Sequence, residues 1–257
     1  MSLLKDIFNY WEFLKTNVKK DIRGKYKGSF LGVLWSFVNP LLSVIVYAIV
    51  FQYIMRFNIE HYLIYLISGI IPWTFFTTAL NSGINSILYN ANIIKKVYFP
   101  RSILPISSVT SALINFLISC IIILLFTMFS GIGISINLVF LPLVIIVQYI
   151  LCLGIVLILS AVEIYFKDIE HIINFFISML FYVTPILYTP DAVPENMQFL
   201  LKSNPMSYII ESYHNIFYYK HSPDLYKLGV VFLISVIIFI FGYNIFKKLQ
   251  KGFAEEV

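Results

Sequence analysis

Residues 102–162 read SILPISSVTSALINFLISCIIILLFTMFSGIGISINLVFLPLVIIVQYILCLGIVLILSAV, sixty-one positions without an Asp, Glu, Lys or Arg. As one helix rising about 1.5 Å per residue, that run would reach some 90 Å, three times a hydrocarbon core of roughly 30 Å. It has to turn. The place is Ser130-Gly131-Ile132-Gly133-Ile134-Ser135-Ile136-Asn137, with Pro142 just beyond, where glycine and short polar side chains permit a reversal. The run therefore splits into two membrane crossings, residues 103–129 and 138–162.

Working outward, residues 34–55 form another stretch without charge, and so do 62–80, 172–188 and 228–246, which brings the expected crossings to six. The whole chain agrees: of 257 residues 60% are apolar and only 12% charged, with a mean hydropathy of +0.86. Soluble domains carry about twice that share of charge. These figures exclude a single soluble domain, a disulfide-stapled secreted scaffold and a disordered chain. The expected fold class is all-α integral membrane, with six transmembrane helices.

Six crossings put both termini on one side. Fourteen of the eighteen Lys and Arg residues then fall on that side, leaving only Arg56, Lys202, Lys220 and Lys227 opposite. The positive-inside rule places both termini in the cytoplasm. The net charge of +5 and pI near 9.0 thus report topology, and nucleic acid is not an expected partner. Cys120 and Cys152 both sit in apolar runs and read as buried, inert thiols. The charged N-terminus lacks the core and cleavage site of a signal peptide, so it is expected to be retained.

Three segments outside the crossings are too apolar to be plain loops. In residues 1–33, Ile7, Trp11, Leu14, Val18 and Ile22 recur at helical spacing between Glu12, Lys15 and Lys19. That pattern predicts an amphipathic interface helix with its apolar face in lipid, or else packed on a partner. Residues 81–101 predict a short cytoplasmic helix carrying Ile84, Ile87 and Leu88, stopped by Pro100, with Pro105 disturbing the next crossing. It either docks a soluble subunit or rests on lipid. Residues 189–226 are punctuated by Pro190, Pro194 and Pro205, and Met206, Ile209, Ile210, Tyr213 and Phe217 again keep helical spacing. Two short outer helices dipping back toward the membrane fit that pattern, and such backbone is tolerated only where protein or a cavity covers it.

Catalytic signatures are missing. There is no Gly-Lys-Ser/Thr phosphate loop, no His-Glu-x-x-His, no Gly-x-Ser-x-Gly and no Cys-x-x-Cys. His61, His171, His214 and His221 fall at or beyond the ends of crossings and read as solvent-side or interface residues. No crossing carries an ionisable side chain near its middle, as proton- and ion-coupled carriers need. Uphill transport by this chain would therefore draw its energy from another subunit. Aromatic residues make up 18% of the chain, divided between interfacial belts and walls suited to sugar rings.

Several stretches, in this order on a six-crossing chain, resemble the membrane subunits of polysaccharide-exporting ABC transporters of the type-2 family, which move O-antigen, capsule or teichoic acid. They are Lys27-Gly28-Ser29-Phe30-Leu31-Gly32-Val33-Leu34-Trp35-Ser36-Phe37-Val38-Asn39-Pro40, Ser68-Gly69-Ile70-Ile71-Pro72-Trp73-Thr74-Phe75-Phe76, Asn92-Ile93-Ile94-Lys95-Lys96-Val97-Tyr98-Phe99-Pro100-Arg101, Tyr165-Phe166-Lys167-Asp168-Ile169, Thr184-Pro185-Ile186-Leu187-Tyr188 and Asn204-Pro205-Met206.

The resemblance implies an interface helix in residues 1–33, a six-span domain over 34–246 and a cytoplasmic tail at 247–257. It implies a second copy of the chain, two cytoplasmic ATP-binding subunits that hold ATP and Mg, and no cofactor in this chain. Lipid-linked polysaccharide and membrane lipids complete the implied partners, in a bacterial or archaeal cytoplasmic membrane. A coupling helix would meet the ATPase through Asn92, Lys95, Lys96, Tyr98 and Arg101, and re-entrant outer helices would cap the channel. Trp35, Phe37, Asn39, Tyr47, Phe51 and Tyr182 are the candidate channel residues. Lys167 and Asp168 form a charged cytoplasmic loop, where the family most often has Arg in place of Lys167. A permease for drugs or small lipids shares this architecture. An integral membrane enzyme acting on lipid-linked sugars would instead need the cluster Glu163, Asp168, Glu170 and His171.

Overall fold

The computed structural model describes residues 3–25, 28, 30, 32–56 and 59–256, and among these it is built of helices and turns without a strand. Four helices are long and apolar enough to cross a membrane: α4 (Tyr62–Ile84), α6 (Ile103–Phe129), α7 (Leu141–Glu163, led in by a 3₁₀ turn from Ile136) and α11 (Leu225–Leu249). Two shorter apolar helices accompany them, α3 (Trp35–Ala48, continued as π-helix through Ile54) and α8 (Ile169–Val183). The expected turn at 130–137 separates α6 from α7, and positive φ at Gly131 and Gly133 makes the reversal there.

The remaining helices are short. At the N-terminus the expected single helix is broken at Tyr10 into α1 (Leu3–Asn9) and α2 (Trp11–Lys25). α5 (Ala91–Ile94) follows α4, α9 (Gln198–Ser203) and α10 (Pro205–His214) precede α11, and α12 (Phe253–Glu256) ends the chain.

Helix ends follow local chemistry. α8 stops at Val183 because Thr184, preceding Pro185, takes an extended conformation; the expected helix to residue 188 is shortened accordingly. Pro105 does not disturb α6. It occupies the first turn, where no backbone N–H is needed.

The core is centred on α4, which packs against α3, α6, α7, α8 and α10. α7 and α11 meet most closely of all. Their crossing is set by Gly154 and Gly242: a β-carbon on Gly154 would come within 2.7 Å of the Phe239 backbone nitrogen, and one on Gly242 would run into the Gly154 carbonyl. Close helix approach through small residues is a main source of packing energy where no hydrophobic force operates between helices. Cys120 and Cys152 are buried and free.

A second, separate core forms at the end of the bundle that holds α5 and α12, from Ile87, Ile94, Phe99, Leu104, Leu157, Ala161, Ile164, Phe246 and Phe253. The apolar stripe of α2 is covered in part by protein: Leu14 and Val18 are buried in the main core where α2 lies along α6, while Trp11 stays exposed.

Candidate functional site: the 92–101 loop and the α3–α8 wall

This second core decides which loop residues remain outside. Ile94 and Phe99 are each 6% exposed and anchor the loop. Between them Lys95, Lys96, Val97 and Tyr98 are exposed, Tyr98 almost completely at 94%, and Asn92, just ahead of Ile94, is exposed as well. This is a basic, aromatic strip held on a packed base, suited to contact with another macromolecule. Arg101 behaves differently from its neighbours. It is half-buried, its Nη1 donates to the Gln250 carbonyl, and its guanidinium lies 5.9 Å from the Phe253 ring. Of the five expected contact residues, four share the exposed strip and Arg101 ties the loop to the C-terminal segment.

The candidate channel residues divide similarly. Tyr47 and Phe51 on α3 have ring centroids 6.4 Å apart, and Tyr47 lies 5.7 Å from Phe181 of α8. Phe181 in turn contacts Trp73 at 5.8 Å and Tyr182 at 5.4 Å. Tyr47, Phe51 and Tyr182 therefore belong to one aromatic seam where α3 approaches α8. Trp35 and Asn39 are exposed near the other end of α3, apart from that seam. The side chain of Phe37 lies outside the described residues, as do Lys27, Ser29 and Leu31.

Both seam helices carry a polar row at four-residue spacing, Asn39, Ser43 and Tyr47 on α3 and Asn174, Ser178 and Tyr182 on α8. Residues four apart share a helix face. The spacing was readable in the sequence, but only the structure shows that Ser43, Ser178 and Tyr182 stay uncovered.

Lys167 and Asp168 are exposed in the turn between α7 and α8. Asp168 precedes α8 without capping it. That role falls to Glu163, 2% exposed at the end of α7, whose Oε2 accepts the Glu170 backbone N–H at 3.0 Å. One member of the acid–base cluster required by an enzymatic reading is thus committed to joining two helices. Among the described residues no group of three or more His, Cys, Asp or Glu could hold a metal ion.

The opposite end of the bundle contains the residue that sequence reasoning missed. His214 is 2% exposed, stacked on Tyr65 with centroids 3.9 Å apart. Its Nδ1 lies 3.0 Å from the Ser68 hydroxyl and its Nε2 3.1 Å from the Pro185 carbonyl, contacts that one neutral tautomer satisfies together. The expectation of a solvent-side or interface histidine holds for exposed His171 and His221 and is corrected for His214. A buried polar ring is admissible because partners from α4 and from the 184–188 turn meet it. The surrounding bonds extend the network. Tyr62 donates to Leu187 O at 2.7 Å, Tyr65 to Tyr188 O at 2.7 Å, and the Asn204 amide to Thr184 Oγ1 at 2.9 Å. Deeper in, Tyr213 donates to Gln148 Oε1, and Gln148 donates to Pro72 O, both at 2.9 Å. The expected apolar stripe of Met206, Ile209, Ile210, Tyr213 and Phe217 is buried throughout.

A model of the ABC-2 type transporter family matches residues 12–218. The chain belongs to that family. Its relatives include an O-antigen export system permease protein RfbA of Klebsiella pneumoniae, 34% identical over 95% of both chains. Another is the protein of the same name from Myxococcus xanthus, 32% identical over 99% of both. The polysialic acid transport protein KpsM of Escherichia coli is 21% identical over 91% of this chain and 92% of its own. The family match on this ABC-2 membrane subunit runs from α2 to the π-helical turn after α10 (Asn215–Tyr219), so it spans both the 92–98 strip and the network around His214.

Proposed function

We propose that this chain is the membrane subunit of an ATP-driven exporter carrying lipid-linked polysaccharide, such as O-antigen, capsule or teichoic acid, across a bacterial or archaeal cytoplasmic membrane. The observation that carries the reading is the end-to-end alignment with two O-antigen export permeases. The exposed strip Asn92, Lys95, Lys96, Val97 and Tyr98 supports it, as a rigidly based surface for a soluble ATPase.

In this reading the chain crosses six times with both termini in the cytoplasm. α3 and its π-helical continuation contribute fourteen and six residues, about 30 Å at 1.5 Å per residue, enough for one crossing. α8 has only fifteen residues, roughly 22 Å, and relies on the 184–188 turn to complete its passage. Two copies face one another across the uncovered sides of α3 and α8, with Tyr47, Phe51 and Tyr182 forming an aromatic wall. Aromatic faces pack on sugar rings while hydroxyl and amide tips meet sugar hydroxyls, so the polar rows suit a polymer that must slide rather than lodge. Nucleotide binding and hydrolysis belong to the partner ATPase. This chain receives the motion at the 92–98 strip, and the packed cytoplasmic core passes it to α4, α6 and α7.

The test is a mild-detergent purification of tagged protein, scored for a stoichiometric partner and vanadate-sensitive ATP hydrolysis. Lys95→Glu combined with Lys96→Glu is expected to leave insertion intact while cutting polymer export and coupled ATPase activity about tenfold. A clean homo-oligomer without ATPase, or undiminished export by the double variant, would overturn the reading.

A further inference from the structure

Beneath α2 lies a cavity of about 530 Å³ between α2, the cytoplasmic end of α4 and α6. Its lining mixes one cation, one anion and neutral hydrogen-bonding groups. Lys20 reaches in and donates to Asn90 Oδ1 at 3.0 Å, with two ammonium hydrogens left over. Asp21 makes no ion pair among the described residues, and burial pushes its carboxyl above the ordinary value, against the opposing effects of Lys20 and a hydrogen bond from Ser111.

Thr78, Ser82, Ser86, Ser108 and Asn115 add hydroxyl and amide groups to the same lining.

Depth and surroundings narrow the occupant. Ser111 and Asn115 sit about 12 and 18 Å along α6 from its cytoplasmic start, at 1.5 Å per residue. α2 lies across the same level, and amphipathic helices of this kind rest at the boundary between headgroups and acyl chains. A groove of about 340 Å³ with an apolar floor of Trp11, Leu14, Val18, Ile22 and Ile114, edged by Lys15, Lys19 and Arg23, flanks the polar cavity, and Ile22 belongs to both walls. A polar chamber adjoining an apolar groove is the shape of an amphiphile.

We propose that the two together bind one zwitterionic phospholipid with a primary ammonium, of the phosphatidylethanolamine type, as a resident lipid of the permease. Its phosphate meets Lys20 and the hydroxyl and amide donors, its ammonium meets Asp21, and one acyl chain follows the groove over Ile22. A purely anionic headgroup would meet Lys20 but leave the Asp21 carboxylate without a counter-charge. A choline headgroup, having no N–H, cannot donate to Asp21. This assignment rests on the membrane placement of the chain and not on the nature of its cargo.

The experiment is a lipid titration of the full chain purified in mild detergent, followed by native mass spectrometry, with phosphatidylethanolamine, phosphatidylglycerol and phosphatidylcholine compared. Wild-type protein is expected to bind one phosphatidylethanolamine about tenfold more tightly than the other two, the worth of one charge-assisted hydrogen bond. Asp21→Asn removes that preference, whereas Lys20→Gln weakens all three lipids and leaves the preference standing. Equal affinities in the wild type, or an undiminished preference in Asp21→Asn, would overturn the proposal. A second readout does not depend on Asp21 variants folding: a cysteine introduced by Ser82→Cys, on the exposed rim, should react with a small maleimide several-fold more slowly when phosphatidylethanolamine is present. An unchanged rate counts against occupancy of the cavity.

Discussion

α4 and α8 are both apolar, and the protein treats them oppositely. Seventeen of the twenty-three residues of α4 are buried, including its whole run from Ile64 to Trp73. On α8 only Ile177 is buried, while Ile172, Phe175, Phe176, Met179 and Tyr182 remain exposed. Composition sets whether a helix belongs in a membrane. It does not set what covers it. α4 is wrapped by its own chain along most of its length, with Leu63, Asn81 and Ser82 left exposed, so its buried glycines and proline sit where neighbours need close approach. α8 leaves its surface to lipid or to a second copy, and its polar row stays available. The contrast divides the molecule into a self-sufficient hub of α4, α6, α7 and α11 and an edge of α3 and α8 that is finished by something else.

The strongest way to break that division is to damage the hub. Gly242→Leu places a branched side chain against the Gly154 carbonyl. It is expected to cost more than about 4 kcal/mol and to abolish monodisperse protein in detergent. Gly229→Leu on the same helix, with nothing within 4 Å of its β-carbon, should leave the yield unchanged. Equal behaviour of the two variants would dissolve the distinction between hub and surface on α11.

Next comes the buried polar bridge. Gln148→Leu strips the Tyr213 hydroxyl and the Pro72 carbonyl of partners at once. About 2 kcal/mol of stability should be lost, read as a fall in the thermal midpoint of unfolding in detergent. Tyr213→Phe, which leaves only the Gln148 oxygen unpaired, should lose about half as much. If Gln148→Leu were neutral, the outer helices would not be latched to the hub through this bridge.

The edge should answer differently. Phe176→Ala with Met179→Ala is expected to stay within about 0.5 kcal/mol of the wild-type stability of the isolated chain. Self-association, followed by analytical ultracentrifugation in detergent, should fall measurably in the same variant if a second copy covers α8. A large stability loss with unchanged association would mean that α8 belongs to the hub.

How much of this was legible beforehand follows the same division. The six apolar runs were readable because hydrocarbon forbids charge over a known length, and the helices found from residues 34 to 249 keep to those runs within a few residues. The stripe from Met206 to Phe217 was readable because burial imposes a 3.6-residue period. The 92–98 strip was readable because its loop is half apolar and carries the Lys95-Lys96 pair. Partnership was not readable. His214 lies buried because Ser68, 146 residues earlier, and Pro185 meet its ring, and no local pattern records such a meeting. Nor does any local pattern separate α4 from α8, since both satisfy the hydrocarbon equally. The identity of the covering surface is a tertiary fact, and for α8 it lies outside the chain.

The smallest expected effect sharpens the comparison beside α2, which covers part of α6 but leaves a polar cavity. Burial holds the Asp21 carboxyl above its ordinary value of 3.8, so the folded state binds its proton more tightly than the unfolded state. Stability should therefore fall as pH rises through the window from 3.8 to the raised folded value, the reverse of a salt-bridged carboxylate, because the ionised form is the one that burial penalises. Asn at this position has no charge to desolvate. The thermal midpoint of Asp21→Asn, measured lipid-free, should then gain on wild type as pH is raised from about 4 to 7. Adding phosphatidylethanolamine should close that gap, since its ammonium supplies the counter-charge the apo cavity lacks. A gap of constant size across that range, or one that widens as the pH is lowered, would show that the Asp21 carboxylate is already compensated within the chain.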